Sequence, residues 1–133
     1  MTMQNPIYLS SAAVAKAAGV GRETLRFYEE KGLVKPLNRT AAGYRQYSPA
    51  AVALIGFIKE TQQAGFSLKE IQELLQLRST AMNTCSNVSE VLNRKLGSID
   101  DEIANLQRKR AIIHSMVSEC CASEGGRSCG LVP

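Results

Sequence analysis

Between Ser86 and Glu119 the chain has no proline and a single glycine, Gly97, and its apolar residues keep a regular step. Leu92, Leu96, Ile99, Ile103, Leu106, Ile113 and Val117 follow one another at alternating intervals of four and three, with only Arg110 breaking the series. An α-helix turns once in about 3.6 residues, so this spacing lays a narrow apolar stripe along one side of a long rod. So narrow a stripe suits a partner helix better than the interior of its own domain. The expectation is one dimerisation helix over 86–121, paired in a coiled coil.

The four cysteines fall into this frame. Cys85 lies seven residues before Leu92, and Cys120 continues the four-three steps beyond Val117. Both share the phase of the apolar stripe. At about 1.5 Å per residue, the 35 residues between them span roughly 50 Å of helix. A disulfide needs Cα atoms within about 7 Å, so the two cannot join within one chain, nor can they share one metal ion there. An antiparallel homodimer places Cys85 of one subunit beside Cys120 of the other, twice by symmetry. Gly125 and Gly126 let the loop "ASEGGRS" turn back, so that Cys129 joins Cys120. Three thiolates suit a soft ion. Cys121 is an accessory candidate, although it points about 100° away from Cys120 around a helix. His114, the only histidine, reads as an ordinary helix residue. Oxidation could instead link the subunits through these thiols. No secretory leader and no membrane-length apolar run is evident, which points to the cytoplasm, where thiols stay reduced and clustered cysteines lean toward metal or redox chemistry.

The N-terminal part reads differently. "SSAAVAKAA" (10–18) and "RETLRFYEEKGL" (22–33) form two short helices about the turn "GVG", a helix-turn-helix pattern. Pro36 forbids a helix after it, and "LVKPLNRTAAGYRQY" (33–47) reads as a β-hairpin wing carrying Lys35, Arg39, Tyr44 and Arg45. Ser48 and Pro49 open a helix over 48–65, and Ser67 with Glu70 fits the capping box of another over 67–78. The fold class is thus mainly α: a winged helix-turn-helix domain (7–78), a linker (79–85), the long helix (86–121) and a C-terminal loop (122–133). Residues 1–78 carry ten Lys and Arg against six Asp and Glu, while 79–133 carry six of each. The basic half suits nucleic acid. On the second helix, Arg22, Thr24, Arg26 and Tyr28 stand where groove and backbone contacts are expected, with a partly core role as the alternative for Tyr28 and a solvated surface charge as that for Arg22. Arg39, Tyr44 and Arg45 on the wing would grip phosphate.

The segments "VAKAAGVGRETLRFYEEKGLV" (14–34), "RTAAGYRQY" (39–47) and "GFIKETQQAGFSLKEIQELL" (56–75), with Cys85, Cys120 and Cys129, resemble the MerR family of transcription activators. The resemblance implies a winged helix-turn-helix and an antiparallel dimerisation helix. It also implies a dimer on double-stranded promoter DNA that, with effector bound, untwists an overlong spacer for RNA polymerase. Members sensing monovalent copper, silver or gold share the two C-terminal cysteines but lack one at the start of the long helix. Cys85 therefore resembles the divalent branch. The C-terminal spacing and "SCG" resemble the mercury and lead sensors, and Hg(II), Pb(II) or Cd(II) are favoured as effector. The pair "CC" resembles the zinc-sensing branch, which carries a histidine where Gly125 stands here, so Zn(II) ranks lower. A thiol or iron–sulfur redox sensor is the competing class, although the iron–sulfur member clusters all its cysteines near the C-terminus. A drug-binding regulator would need a larger C-terminal domain, and nothing resembles the machinery of an enzyme.

Overall fold

The computed structural model describes residues 7–78, 85–122 and 130–132. The chain divides into two compact units, Met1–Thr84 and Cys85–Pro133. The element order is β1 (Leu9–Ser10), α1 (Ser11–Ala18), α2 (Arg22–Glu30), β2 (Asn38–Arg39), β3 (Arg45–Tyr47), α3 (Ala50–Gln63), α4 (Leu68–Arg78) and α5 (Cys85–Ala122). This is the winged helix-turn-helix followed by a long helix that the sequence predicts.

Helix starts follow local chemistry. The Ser10 hydroxyl accepts from Ala13 N–H and caps α1. At α4 the capping box forms in both directions: Glu70 N–H donates to Ser67 Oγ, and Ser67 N–H to Glu70 Oε1. Ser48 Oγ accepts from Ala50 N–H at the head of α3, and Pro49 already has helical dihedrals. The stops share one device. In α2, Leu33 N–H donates to the Tyr28 carbonyl at 2.9 Å and Gly32 N–H to that of Glu29 at 3.0 Å. This double bond pattern requires a left-handed residue, which Gly32 supplies at φ 73°. It ends α2 at Glu30, three residues short of the expected Leu33. Helices α1 and α3 finish with the same two bonds, at Gly19–Val20 and Gly65–Phe66.

The wing is a three-stranded antiparallel sheet in the order β1–β3–β2. Leu9 faces Tyr47, and Asn38 and Arg39 face Gln46 and Arg45. The β2–β3 turn closes with Gly43 N–H donating to the Thr40 carbonyl and Tyr44 N–H to Thr40 Oγ1. The first strand was not expected, since two residues are too few to show an alternation in sequence.

The core of this unit gathers Val14 from α1, Leu25 and Tyr28 from α2, Tyr47 from β3, Ile55 and Ile58 from α3 and Ile71 from α4. Each buried aliphatic side chain contributes about 1.5–3 kcal/mol relative to exposure. The buried polar side chain recorded there, Thr61, donates its hydroxyl back to the Phe57 or Ile58 carbonyl. Among the described residues no buried side-chain polar atom is left unsatisfied.

The second unit is dominated by α5, 38 residues long. It begins at Cys85, which the sequence reading put in the linker, and runs through Ala122, which that reading put in the tail. The remaining linker, 79–84, lies outside the described residues, as does most of the tail. No helix among the described residues is long and apolar enough to cross a membrane.

Candidate nucleic-acid surface and metal-ligand cysteines

Helix α2 sorts its side chains by period. Leu25 and Tyr28, three apart, go into the core, while Arg22 and Arg26, four apart, are exposed together on another side. Thr24 is half-buried. Arg22 and Arg26 line an open groove of about 470 Å³ between the start of α1, α2 and the wing, and Tyr44 and Arg45 line its wing side. Four of the seven residues expected to meet DNA thus border one concavity. Thr24, Tyr28 and Arg39 stand outside that lining.

Tyr28 departs from its expected role. It is 2% exposed, and its hydroxyl donates to Gln62 Oε1 on α3. Burial raises its pKa above the usual tyrosine value, so it stays a neutral donor. A side chain this enclosed belongs to the packing of α2 on α3. The face that meets solvent at this level of the helix carries Phe27 instead, with the Lys31 ammonium 5.6 Å from its ring centroid.

The wing concentrates positive charge. Arg39 and Arg45 are direct cross-strand partners, an arrangement that like charges make unfavourable. The Arg39 guanidinium reaches the Gly43 carbonyl at 3.5 Å. Arg45 Nε donates to Glu29 Oε1 at 2.8 Å, and the other carboxylate oxygen of Glu29 accepts from the Tyr47 hydroxyl at 3.1 Å. The Tyr47 pKa is raised, first by burial and then by that carboxylate. Tyr44, at 73% exposed, projects from the wing without such a tie. Sequence reasoning missed Glu29 and Tyr47 as organisers of this surface. The sequence offered little signal, since Glu29 is one of three acidic residues on α2 and its partners lie 16 and 18 residues away.

Of the proposed metal ligands, Cys85 is the first residue of α5 and Cys120 lies near its end, and both are exposed. The Cys121 backbone continues the helix. Cys129 lies outside the described residues. Among the described residues no three His, Cys, Asp or Glu side chains come together as a metal site. His114 is exposed on α5.

The stripe between the two cysteines is open in the single chain. Its exposures run from 41% at Leu92 to 63% at Leu106, with Ile99 half-buried. Ile112 and Met116 are also exposed and broaden it beyond the narrow seam read from sequence. Val91, outside that seam, is 5% exposed. A contiguous apolar surface of this kind marks an interaction site.

Comparison with known proteins places the chain in a family. Residues 9–78 match the family described as "MerR HTH family regulatory protein", and residues 52–116 match "MerR, DNA binding". The chain is 38% identical over 124 residues to a mercuric resistance operon regulatory protein of Pseudomonas fluorescens, covering 93% of this chain and 85% of the relative. Its fold is similar to that of the transcription regulator PbrR691 from Ralstonia metallidurans CH34 in complex with lead(II) (TM-score 0.78, 22% identity, 93% and 96% covered). It is also similar to MerR of Bacillus megaterium MB1 in complex with mercury(II) (TM-score 0.71, 26% identity, 89% and 91% covered). The relatives are transcription regulators rather than enzymes, and with family matches spanning both the wing domain and most of the long helix, this chain belongs to the MerR family.

Proposed function

We propose that this chain is a cytoplasmic, metal-responsive regulator that binds promoter DNA as a homodimer and activates metal-resistance genes when a soft divalent ion binds. The observation that carries the reading is the placement of Cys85 and Cys120 at opposite ends of one 38-residue helix, 35 residues apart, in phase with an exposed apolar stripe. An antiparallel coiled coil of two such helices brings Cys85 of one subunit to Cys120 and Cys129 of the other. Three thiolates there favour Hg(II), Pb(II) or Cd(II) over harder ions. Arg22, Arg26, Arg39, Tyr44 and Arg45 would hold the DNA, with Thr24 at the edge of that surface. Metal binding at the helix ends would shift the two wing domains, and the DNA between them would untwist so that RNA polymerase can engage both promoter elements.

The test is a titration of the reduced protein with Hg(II), Pb(II), Cd(II), Zn(II) and Cu(I), read by metal binding and by transcription from a selected operator. Cys85→Ser and Cys120→Ser should each abolish the response and leave duplex binding intact. Mixed dimers of the two variants should recover one site of the two. Mixed dimers that bind no metal would overturn the cross-subunit site.

A second reading rests on the adjacent thiols of Cys120 and Cys121. If Cys121 joins the set, a fourth thiolate favours tetrahedral Zn(II); if the thiols respond to peroxide with metal removed, the chain is a redox sensor. An unaltered metal ranking in Cys121→Ser would exclude the zinc reading, and no peroxide response of the metal-free wild-type protein would exclude the redox one.

A further inference from the structure

We propose that Glu29 is a positioning residue for DNA recognition, holding the wing against the recognition helix and aiming the Arg45 guanidinium at the phosphate backbone. The inference rests on the DNA-binding reading above and deepens it.

The carboxylate of Glu29 projects from α2 and accepts two hydrogen bonds from β3, one from Arg45 Nε and one from the Tyr47 hydroxyl. Residues 45 and 47 share a face of the strand, so one side chain clamps the strand at two consecutive inward positions. Its oxygens are both used, and its side chain is only 17% exposed. This clamp is the link by which the wing's cationic side chain is fixed relative to Arg22 and Arg26 across the groove.

The geometry of the ion pair matters as much as its existence. Glu29 engages Arg45 side-on, through Nε. A guanidinium is a rigid planar fork with five donors. Holding it by Nε fixes the plane and leaves both Nη groups without a protein partner among the described residues, in a side chain 28% exposed. Two parallel Nη donors match the oxygens of a phosphate. Glu29 also offsets the cost of setting Arg45 directly across from Arg39. Without it, the two wing arginines would splay apart, and Arg45 would keep its charge but lose its direction.

Undirected charge strengthens binding to any duplex, whereas directed charge favours the duplex whose shape presents a phosphate at that point. Loss of Glu29 should therefore separate affinity from specificity. The probes are a duplex selected by the wild-type protein from a randomised pool and a mixed-sequence duplex of the same length. Both are followed by fluorescence anisotropy across a salt series, using the full chain. Glu29→Gln keeps an acceptor for the Tyr47 hydroxyl and removes the ion pair. It should lower the selected-to-mixed affinity ratio about tenfold and steepen the salt slope on the mixed duplex by about 0.9, the value for one further neutralised phosphate. In an Arg45→Ala background the same substitution should change the ratio less than about twofold, because the group it aims is gone.

A wild-type ratio and slope in folded Glu29→Gln overturn the proposal. So does an undiminished loss in the Arg45→Ala background, which would trace the effect to Tyr47 and the fold. If Glu29→Gln fails to fold by circular dichroism, Arg45→Lys decides. That variant keeps the charge but has no Nε to be held, so it should lose the ratio, and a wild-type ratio refutes the idea. A wild-type protein that enriches no duplex at all would overturn the DNA-binding reading itself, a result distinct from normal selection with an indifferent Glu29.

Discussion

Tyr28→Phe separates two roles for one residue on the recognition helix. The hydroxyl removed is 34 residues in sequence from its acceptor, Gln62 Oε1, and the ring is 2% exposed. A neutral intramolecular hydrogen bond contributes about 0.5–1.5 kcal/mol net, and the larger part of its loss comes from an acceptor left without a partner. Gln62 is half-buried, so water can reach part of its amide, and the expected cost is about 1 kcal/mol. For a domain of this size that corresponds to a fall in Tm of about 4–8 °C. The assay is thermal unfolding of the full chain by circular dichroism at fixed protomer concentration, since dimerisation would shift the midpoint by mass action. At 25 °C, with the variant folded, affinity for the selected duplex should stay within about twofold of wild type, because the hydroxyl faces α3. Adding Gln62→Leu should restore part of the lost Tm, since removing both polar partners is nearly neutral. A tenfold loss of duplex affinity at unchanged Tm would refute the reasoning and return Tyr28 to the DNA-contacting set.

Arg26→Ala should weaken duplex binding and reduce the magnitude of its salt slope by about 0.9 without altering metal affinity; a fall in metal affinity at normal duplex binding would contradict the division between the two units. Leu106→Glu, at the most exposed seam position, should give a folded monomer by analytical ultracentrifugation, and a persistent dimer at low micromolar concentration would exclude this stripe as the interface. The raised pKa values of Tyr28 and Tyr47 carry a sign: the folded chain holds these protons more tightly than the unfolded chain, so their contribution is complete below the ordinary tyrosine value of 10.0 and declines above it. Stability should therefore fall at alkaline pH beyond that value, and Tyr47→Phe should make the fall shallower.

What could be read in the sequence was what neighbouring residues decide together. The Ser67–Glu70 box and the Ser48–Pro49 start act over two or three residues, and both helices begin there. The stop of α2 was misplaced because Leu33 looks like another apolar helix position. In the structure it turns its N–H back to the Tyr28 carbonyl beyond Gly32. Tyr28 itself was ambiguous, since an amphipathic aromatic on a helix that also carries exposed arginines serves core or groove equally well until α3 is placed against it. The Glu29 clamp was invisible for a related reason: its partners are brought to it by the hairpin, and no local period records a meeting across 16 residues. On α5 the strict four-three spacing drew attention from Val91, Ile112 and Met116, which lie off that line yet share its apolar character.

The interior of the wing domain has a bearing on how such proteins diverge. Its side chains are almost all hydrocarbon, and Thr61 satisfies its hydroxyl within its own helix. Among the described core residues only the Tyr28 and Tyr47 hydroxyls call for a specific partner from a distant segment, Gln62 and Glu29 respectively. Apolar cores of that kind accept exchange among residues of similar volume, so successive generations can rewrite much of the interior one methyl group at a time. Substitution costs most at the left-handed glycines at the helix ends and at the few residues that cross between segments, Gln62 and Glu29 among them. A chain 22% identical to PbrR691 can thus keep a TM-score of 0.78 to it, while its exposed side chains remain open to being re-chosen.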